Sequence, residues 1–221
     1  MPQIKAVLFD LDGTVADTAP DLAAAANSLR LADGVPPLSV ETLRPLASQG
    51  ARGLLKEAVG LTPNDPGFEH ARLRFLSYYE NNLCVHTRLF PGIEPLLAGI
   101  EARQQPWGIV TNKVEYYAHP PMQKLGLGDR CAVVVGGDTT PNPKPAPDPL
   151  LHAARAINVA PELCLYVGDD LRDVQAAHAA GMTSVAVRWG YLGDGPPIER
   201  WNAHHLVRTP KELHELLETL C

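Results

Sequence analysis

Hydrophobic and polar positions along the 221-residue chain fall into two textures. The first appears only once before residue 90: Ile4 to Phe9 is a short, β-rich apolar run that stops at Asp10, the mark of a strand covered on both faces. Helical periodicity follows. Thr18-Ala-Pro-Asp21 reads as a helix start, with Thr18 as N-cap, Pro20 just inside and a carboxylate three residues on, and the Ala-rich LAAAANSLRLA carries the helix to a stop at Gly34. The pattern stays helical to about residue 82 through SVETLRPLASQG, ARGLLKEAVG and FEHARLRFLSYYENN, with Pro and Gly between the segments. After Phe90-Pro91-Gly92 the texture changes. The runs WGIV (107–110), AVVV (132–135), LCLYV (163–167) and TSVAV (183–187) predict strands, and they alternate with predicted helices at about 93–103, 114–125, 147–157, 172–180 and 210–220.

That alternation predicts an α/β fold, a doubly wound parallel sheet of Rossmann-like type with helices on both faces. The helical block interrupts it after the first strand, so the expected organisation is an α/β core of residues 1–16 and 89–221 with a helical cap, 17–88, inserted in it. A hydrophobic fraction of 45% is enough to fill a sizeable core. The formal charge of -6 has the wrong sign for a surface that neutralises nucleic-acid phosphates or anionic lipid, so neither partner is expected. Cys84, Cys131, Cys164 and Cys221 form no C-x-x-C pair and read as reduced, idle thiols. With no apolar stretch of membrane-spanning length and no signal-peptide pattern in MPQIKAVLFD, the expectation is a cytoplasmic protein, monomeric or homodimeric.

In open α/β sheets ligands bind beyond the carboxyl ends of the strands, so the residues there carry the chemistry. Strand 1 runs into Asp10-Leu11-Asp12-Gly13-Thr14, WGIV into Thr111-Asn112-Lys113, AVVV into a loop with Lys144-Pro145-Ala146-Pro147, and LCLYV into Gly168-Asp169-Asp170 with Asp173 beyond. Asp10, Asp12, Asp169 and Asp173 would repel one another on a shared edge, and a divalent cation is the usual remedy. The donors are all oxygen, which favours Mg²⁺ over zinc, and Mg²⁺ commonly shares itself with substrate phosphate. The Thr111 hydroxyl and the Lys144 ammonium suit phosphoryl oxygens. A carboxylate nucleophile beside them can form an aspartyl phosphate. In an extended D-x-D the two side chains point to one side about 6.6 Å apart, so one carboxylate can attack phosphorus while the other meets the leaving oxygen. Gly13 permits the sharp exit and a close backbone approach.

DLDGT (10–14), the Thr of VTN (110–112), KPAP (144–147) and GDDLRD (168–173) resemble, in order, the motifs of the haloacid dehalogenase-like hydrolase superfamily, and the helical block resembles its inserted cap. The chain is most similar to the phosphoglycolate phosphatase type, through VTNK and the KPxPxPL pattern, and also resembles N-acetylmuramic acid 6-phosphate phosphatases through SQGARGLL and the stretch from YYENN to LFPGI. The resemblance implies a Mg²⁺-dependent phosphatase acting on a small phosphorylated metabolite. In it Asp10 is the nucleophile and Asp12 the general acid/base; Asp10, the main-chain carbonyl of Asp12, and Asp169 hold the metal. Asp173 then stands behind them, holding metal waters or Lys144, and Asp170 is the alternative ligand. Thr111 and Lys144 bind the transferring phosphoryl group, with Asn112 and Lys113 beside them, and Arg52 reaches the substrate from the Gly-rich loop of the cap. Asp12 argues for phosphate esters, since family dehalogenases lack an Asp at that position.

Two other readings use the same residues. A signalling receiver also places acidic residues, a Thr and a Lys at strand ends, but lacks D-x-D-G-T and an insertion after strand 1; a phosphosugar mutase shares both motifs and cap. The eight His show no metal-ligand spacing, Tyr78-Tyr79 reads as cap packing, and Trp107, Trp189 and Trp201 read as core or edge fillers.

Overall fold

The computed structural model describes residues 3–193 and 195–221. Strand β1 (Ala6–Phe9) is buried along its whole length, and its side chains alternate between two hydrophobic clusters. Val7 and Phe9 join Leu96, Leu97, Met122 and Leu213 on one side; Ala6 and Leu8 join Leu150, Ala153, Tyr166 and Ala176 on the other. The strand is therefore covered on both faces, as its unbroken apolar run predicts.

Among the described residues six strands form one sheet in the order β5-β4-β1-β6-β7-β8, made of β1, β4 (Trp107–Val110), β5 (Val133–Val135), β6 (Cys164–Gly168), β7 (Thr183–Val187) and β8 (His205–Val207). Every pairing between them is parallel. The chain steps outward from β1 to β4 and β5, then returns to the other side of β1 and steps outward through β6, β7 and β8. The winding reverses at β1, which is where such sheets open a crevice. Phe9 is level with Ile109 on β4 and Val167 on β6, so Asp10 leaves the sheet beside the ends of both.

Between β2 (Ala16–Asp17) and β3 (Arg88–Leu89) lie α1 (Ala19–Ala32), α2 (Val40–Leu43), α3 (Gly50–Val59) and α4 (Phe68–Asn81). They share their own buried cluster, including Leu22, Leu29, Leu54, Leu55 and Phe75. β2 and β3 pair antiparallel, so the block leaves and rejoins the chain at one point. The remaining helices are α5 (Ile93–Ala102), α6 (Glu115–Lys124), α7 (Asp148–Ala156), α8 (Leu171–Ala179) and α9 (Pro210–Leu220).

The structure departs from the pattern reading in four places. β8 and the two-residue strands β2 and β3 are additions, too short to show a periodicity of their own. His204 and His205 consequently lie at the sheet's outer strand, where His204 Nδ1 accepts from the backbone N–H of Ser184 at 3.1 Å. SVETLRPLASQG is one segment by periodicity but two by structure: α2 ends at Leu43 and residues 44–49 form a 3-10 helix, because Pro45 has no N–H with which to continue α-helical bonding. Thr18 stands at the N-cap position without capping α1; its hydroxyl is donated to a carboxylate elsewhere. Asp21 is likewise drawn away from the helix head. It is buried and accepts from His86 N at 2.8 Å, Thr87 N at 3.0 Å and Thr87 Oγ1 at 2.6 Å, fastening α1 to the chain that enters β3.

Asp21→Ala strands two backbone donors and a hydroxyl at a site closed to water. The expected loss is about 3 kcal/mol, read as a lower urea midpoint at unchanged m-value; a midpoint within experimental error of the parent would show that this fastening contributes nothing.

Candidate active site

β1 delivers Asp10 to the crevice with its N–H bonded to Val167 O at 2.9 Å. The next turn closes on itself: Gly13 N donates to Ala16 O at 3.0 Å and Gly13 adopts φ +90°, in the left-handed region where a side chain is strained. Space imposes the same choice, since a Cβ at Gly13 would lie 2.2 Å from Asp169 Oδ2. Thr14, one residue on, donates its hydroxyl to Asp169 Oδ1 at 2.8 Å. Asp169 Oδ2 accepts from Tyr191 N at 2.8 Å, and Gly190 makes room for that approach, its Cβ position being 2.2 Å from the Asp169 Cβ.

Oxygens of Asp10, Asp169 and Asp173, all buried, lie within 4.8 Å of one another. Lys144 Nζ is the nearby counter-charge, and an ammonium has three donors. They go to Val110 O at 3.0 Å, Tyr166 Oη at 2.7 Å and Asp173 Oδ1 at 2.7 Å. Asp10 Oδ1 is also ion-paired to Nζ at 3.0 Å, but makes no hydrogen bond of good geometry among the described residues. Burial raises the Asp10 carboxyl to about 7; Lys144 opposes the shift, and Asp173 and Asp12 add to it. Burial, with Asp10 and Asp173 adding to it, pushes Asp169 well above the carboxylate range. Burial works against the charge of Lys144, but Asp10 and Asp173 outweigh it and raise its pKa.

Asp12 Oδ1 accepts from Lys113 Nζ at 2.6 Å and from Thr18 Oγ1 at 2.5 Å. Burial disfavours the Lys113 cation, yet Asp12 and Tyr79 raise its pKa, and Nζ lies 5.2 Å from the centre of the Tyr79 ring. Lys113, expected as a substrate contact, thus joins Asp12 to a side chain of α4. Thr111 is buried at the end of β4, its Oγ1 accepting from Lys113 N at 3.2 Å. Asn112 bonds both backbone groups of Lys144, accepting from N and donating to O at 2.9 Å each, so it clamps two motifs together at the level of the main chain. Asp170 accepts at the head of α8 from Arg172 N and pairs with the Arg172 side chain at 2.8 Å, while Asp173 returns a bond to Asp170 N at 3.0 Å. The carboxylate of Asp170 is occupied by its own helix and Arg172, and the three-oxygen cluster is made by Asp10, Asp169 and Asp173.

A cavity of about 710 Å³ opens over these groups. Its floor holds Asp10, Asp12, Thr111, Asn112, Lys113 and Lys144; its far wall is helical, with Arg52, Phe68, Arg72, Phe75 and Tyr79. Arg52 is exposed within the first turn of α3. Tyr79 of the Tyr78-Tyr79 pair is buried and stacks on Phe75, whereas Tyr78 is exposed. The pattern reading placed no role in the site on Thr14, Thr18, Tyr166, Arg172 or Tyr191, which bond the motif residues. Thr14 and Arg172 belong to the DLDGT and GDDLRD motifs and could have been flagged, and Thr18 was read only as a helix cap; Tyr166 and Tyr191 become visible only when distant segments meet.

The buried donor set fits a hard divalent cation. It is all oxygen, it concentrates negative charge that one Lys balances incompletely, and it leaves Asp10 Oδ1 without a hydrogen bond among the described residues. The Cys thiols take no part: Cys131 and Cys164 are pushed up to about 11 by burial, and all four are free. Among the described residues no helix is long and apolar enough to cross a membrane.

Residues 7–187 match the haloacid dehalogenase-like hydrolase family. The chain is 47% identical over 213 residues to a phosphoglycolate phosphatase of Xanthomonas campestris pv. campestris, covering 96% of this chain and 95% of that one. It is 40% identical over 220 residues to an N-acetylmuramic acid 6-phosphate phosphatase of Pseudomonas putida, covering 99% of each. Among solved structures, a predicted phosphoglycolate phosphatase from Haemophilus somnus superposes with a TM-score of 0.85 at 28% identity, over 98% of this chain and 99% of that one. A reversal of strand order at β1, a carboxylate cluster gripped by one lysine at that crevice and a match over most of its length place the chain in the haloacid dehalogenase-like hydrolase family.

Proposed function

We propose that the protein is a Mg²⁺-dependent phosphomonoesterase that works through an aspartyl phosphate on Asp10. The observation that carries this reading is Asp10 Oδ1 on the floor of the cavity, beside the Lys144 ammonium at 3.0 Å but making no hydrogen bond among the described residues. A carboxylate oxygen so placed is free to act as a nucleophile.

Asp10 attacks phosphorus, the ester P–O bond breaks, and the departing oxygen takes a proton from Asp12. Water then attacks the phosphorus of the acyl phosphate and gives its proton to Asp12, and the bond between phosphorus and the Asp10 oxygen breaks to release inorganic phosphate. Asp12 is supplied with two donors, Lys113 and Thr18, in the carboxylate form that receives the water's proton. Thr111 and Lys144 bind the phosphoryl oxygens, Asn112 fixes the Lys144 backbone for that purpose, and Lys113 and Arg52 face the rest of the substrate. Asp10, the Asp12 carbonyl and Asp169 would hold Mg²⁺, with Asp173 behind them on Lys144, and the ion would supply positive charge to offset that of the carboxylates and the phosphate. Residues 17–88 serve as the cap and 1–16 with 89–221 as the core; the separate cluster of buried residues in the helical block and the β2/β3 pairing at its base support that division.

The relatives' names point to a phosphate ester that also bears a carboxylate, either phosphoglycolate or N-acetylmuramic acid 6-phosphate. The cavity favours the larger: about 710 Å³ with Phe68, Phe75, Tyr79 and Tyr117 on its lining suits a sugar-sized ligand better than a two-carbon acid.

Asp10→Asn should retain the fold and lose at least about three orders of magnitude in kcat, equivalent to about 4 kcal/mol of barrier. Phosphate release from p-nitrophenyl phosphate at near-parent rate would overturn the mechanism.

Excess EDTA should abolish turnover, Mg²⁺ should restore it, and beryllium fluoride should inhibit. The proton and the cation compete for the same carboxylates. Because Asp10 in the folded chain is raised to about 7 from an ordinary 3.8, the metal-free protein loses stability as pH rises through that interval. The gain in Tm on adding Mg²⁺ should therefore be larger at pH 8 than at pH 5.5; an equal gain would refute binding at this cluster.

Arg52 presents a guanidinium fork able to grip a carboxylate. Arg52→Ala should lower kcat/KM for the carboxylate-bearing substrate by about 10- to 150-fold, the equivalent of 1.5 to 3 kcal/mol, and affect p-nitrophenyl phosphate much less. Equal losses on both would assign Arg52 to the core chemistry or the fold instead.

A further inference from the structure

Tyr191 lies in the loop after β7, yet its ring is buried within the cluster of the helical block and packs against Phe90, with ring centres 6.4 Å apart. Its hydroxyl oxygen accepts two backbone N–H groups, from Thr18 at 2.8 Å and Ala19 at 2.9 Å. These are donors at the head of α1, which a helix cannot satisfy internally. Thr18 holds the N-cap position but makes no capping bond. Tyr191 satisfies the first two donors of the helix from another part of the chain.

The Thr18 hydroxyl itself goes to the site. Thr18 Oγ1 donates to Asp12 Oδ1 at 2.5 Å, and its hydrogen is thereby committed. Tyr191 Oη lies 3.3 Å from Thr18 Oγ1 and 3.2 Å from Asp17 Oδ1, so the phenolic proton points back into the same group of residues. The loop carrying Tyr191 is itself anchored to the site: Trp189 Nε1 donates to Thr14 O at 2.9 Å and Tyr191 N donates to Asp169 Oδ2 at 2.8 Å.

We infer that Tyr191 is a positioning residue for Asp12: by holding the backbone N–H groups of Thr18 and Ala19, it sets the place from which the Thr18 hydroxyl orients the carboxyl that exchanges protons with the leaving oxygen. The inference rests on the role given to Asp12 above. Without the phenolic oxygen, the backbone of Thr18 loses its anchor and the hydroxyl loses its fixed aim at Asp12. Tyr191 touches neither substrate nor reacting atoms, and its effect is transmitted through Thr18.

The test compares kcat/KM for phenyl phosphate and p-nitrophenyl phosphate, esters of similar shape whose leaving groups differ in their need for a proton. kcat/KM covers the steps up to formation of the phosphoenzyme, so later hydrolysis does not blur the comparison. General acid catalysis is worth about 10²- to 10⁴-fold, and a misdirected acid should forfeit part of it. In Tyr191→Phe, which keeps the ring, the ratio of phenyl to p-nitrophenyl kcat/KM should fall at least about tenfold. Thr18→Val should lower it to the same extent, the double variant no further, and Thr18→Ser should keep the parent ratio. A loss equal on both esters, or a double variant whose losses multiply, would overturn the inference. Should Tyr191→Phe fail to fold by circular dichroism, Thr18→Val and Thr18→Ser carry the test: an unchanged ratio in Thr18→Val overturns it. Asp12→Asn is measured alongside. If it leaves the ratio intact, the role of Asp12 is wrong and the inference falls with it; if it lowers the ratio while Tyr191→Phe does not, Tyr191 alone has been misread.

Discussion

Three carboxylates share the end of one sheet, with a single buried ammonium among them. Like charges removed from water at such separations are costly, and the local structure follows from containing that cost. Lys144 commits all its donors, Thr14 and the Tyr191 N–H attend to Asp169, and α8 turns Asp173 inward through a reciprocal bond at its head. What remains without a hydrogen bond among the described residues is one oxygen of Asp10, with the Lys144 charge beside it. Reactivity is concentrated there because the rest of the charge has been accounted for.

The backbone supplies the tolerances this needs. Gly13 and Gly190 approach Asp169 from two sides, each where a Cβ would fall 2.2 Å from an Asp169 atom. One is in the first motif and the other in a loop more than 170 residues later. Their common dependence on one carboxylate explains why both segments must be as small as they are.

The strands WGIV and TSVAV were legible to the residue, and AVVV and LCLYV nearly so, because a strand buried on both faces writes its limits as an apolar run. So were the motif residues at the sheet edge, since polar groups directly after such a run have few structural reasons to be there. β8 was not legible: a three-residue outer strand with one exposed position and one half-buried one carries no such run. The capping of α1 misled for a different reason. Thr18-Ala-Pro-Asp21 has the right local chemistry, but Asp12, six residues back, takes Thr18, and the Thr87 segment, distant in sequence, takes Asp21. Asn112 was read as a substrate contact, while its amide bonds to the Lys144 backbone depend on how two loops meet.

The burial of Tyr191 among the helices has a consequence for how such enzymes could exchange parts. By sequence the helical block looks like a cassette, bounded by the β2/β3 ribbon and replaceable by cutting near residues 17 and 88. Its interior, however, includes a ring from outside those limits. A graft made at the ribbon would leave that ring facing a foreign interior, and would leave this block's α1, moved elsewhere, without the acceptor for its first N–H groups. The heritable unit of specificity is accordingly discontinuous, comprising the block together with the loop at 189–191.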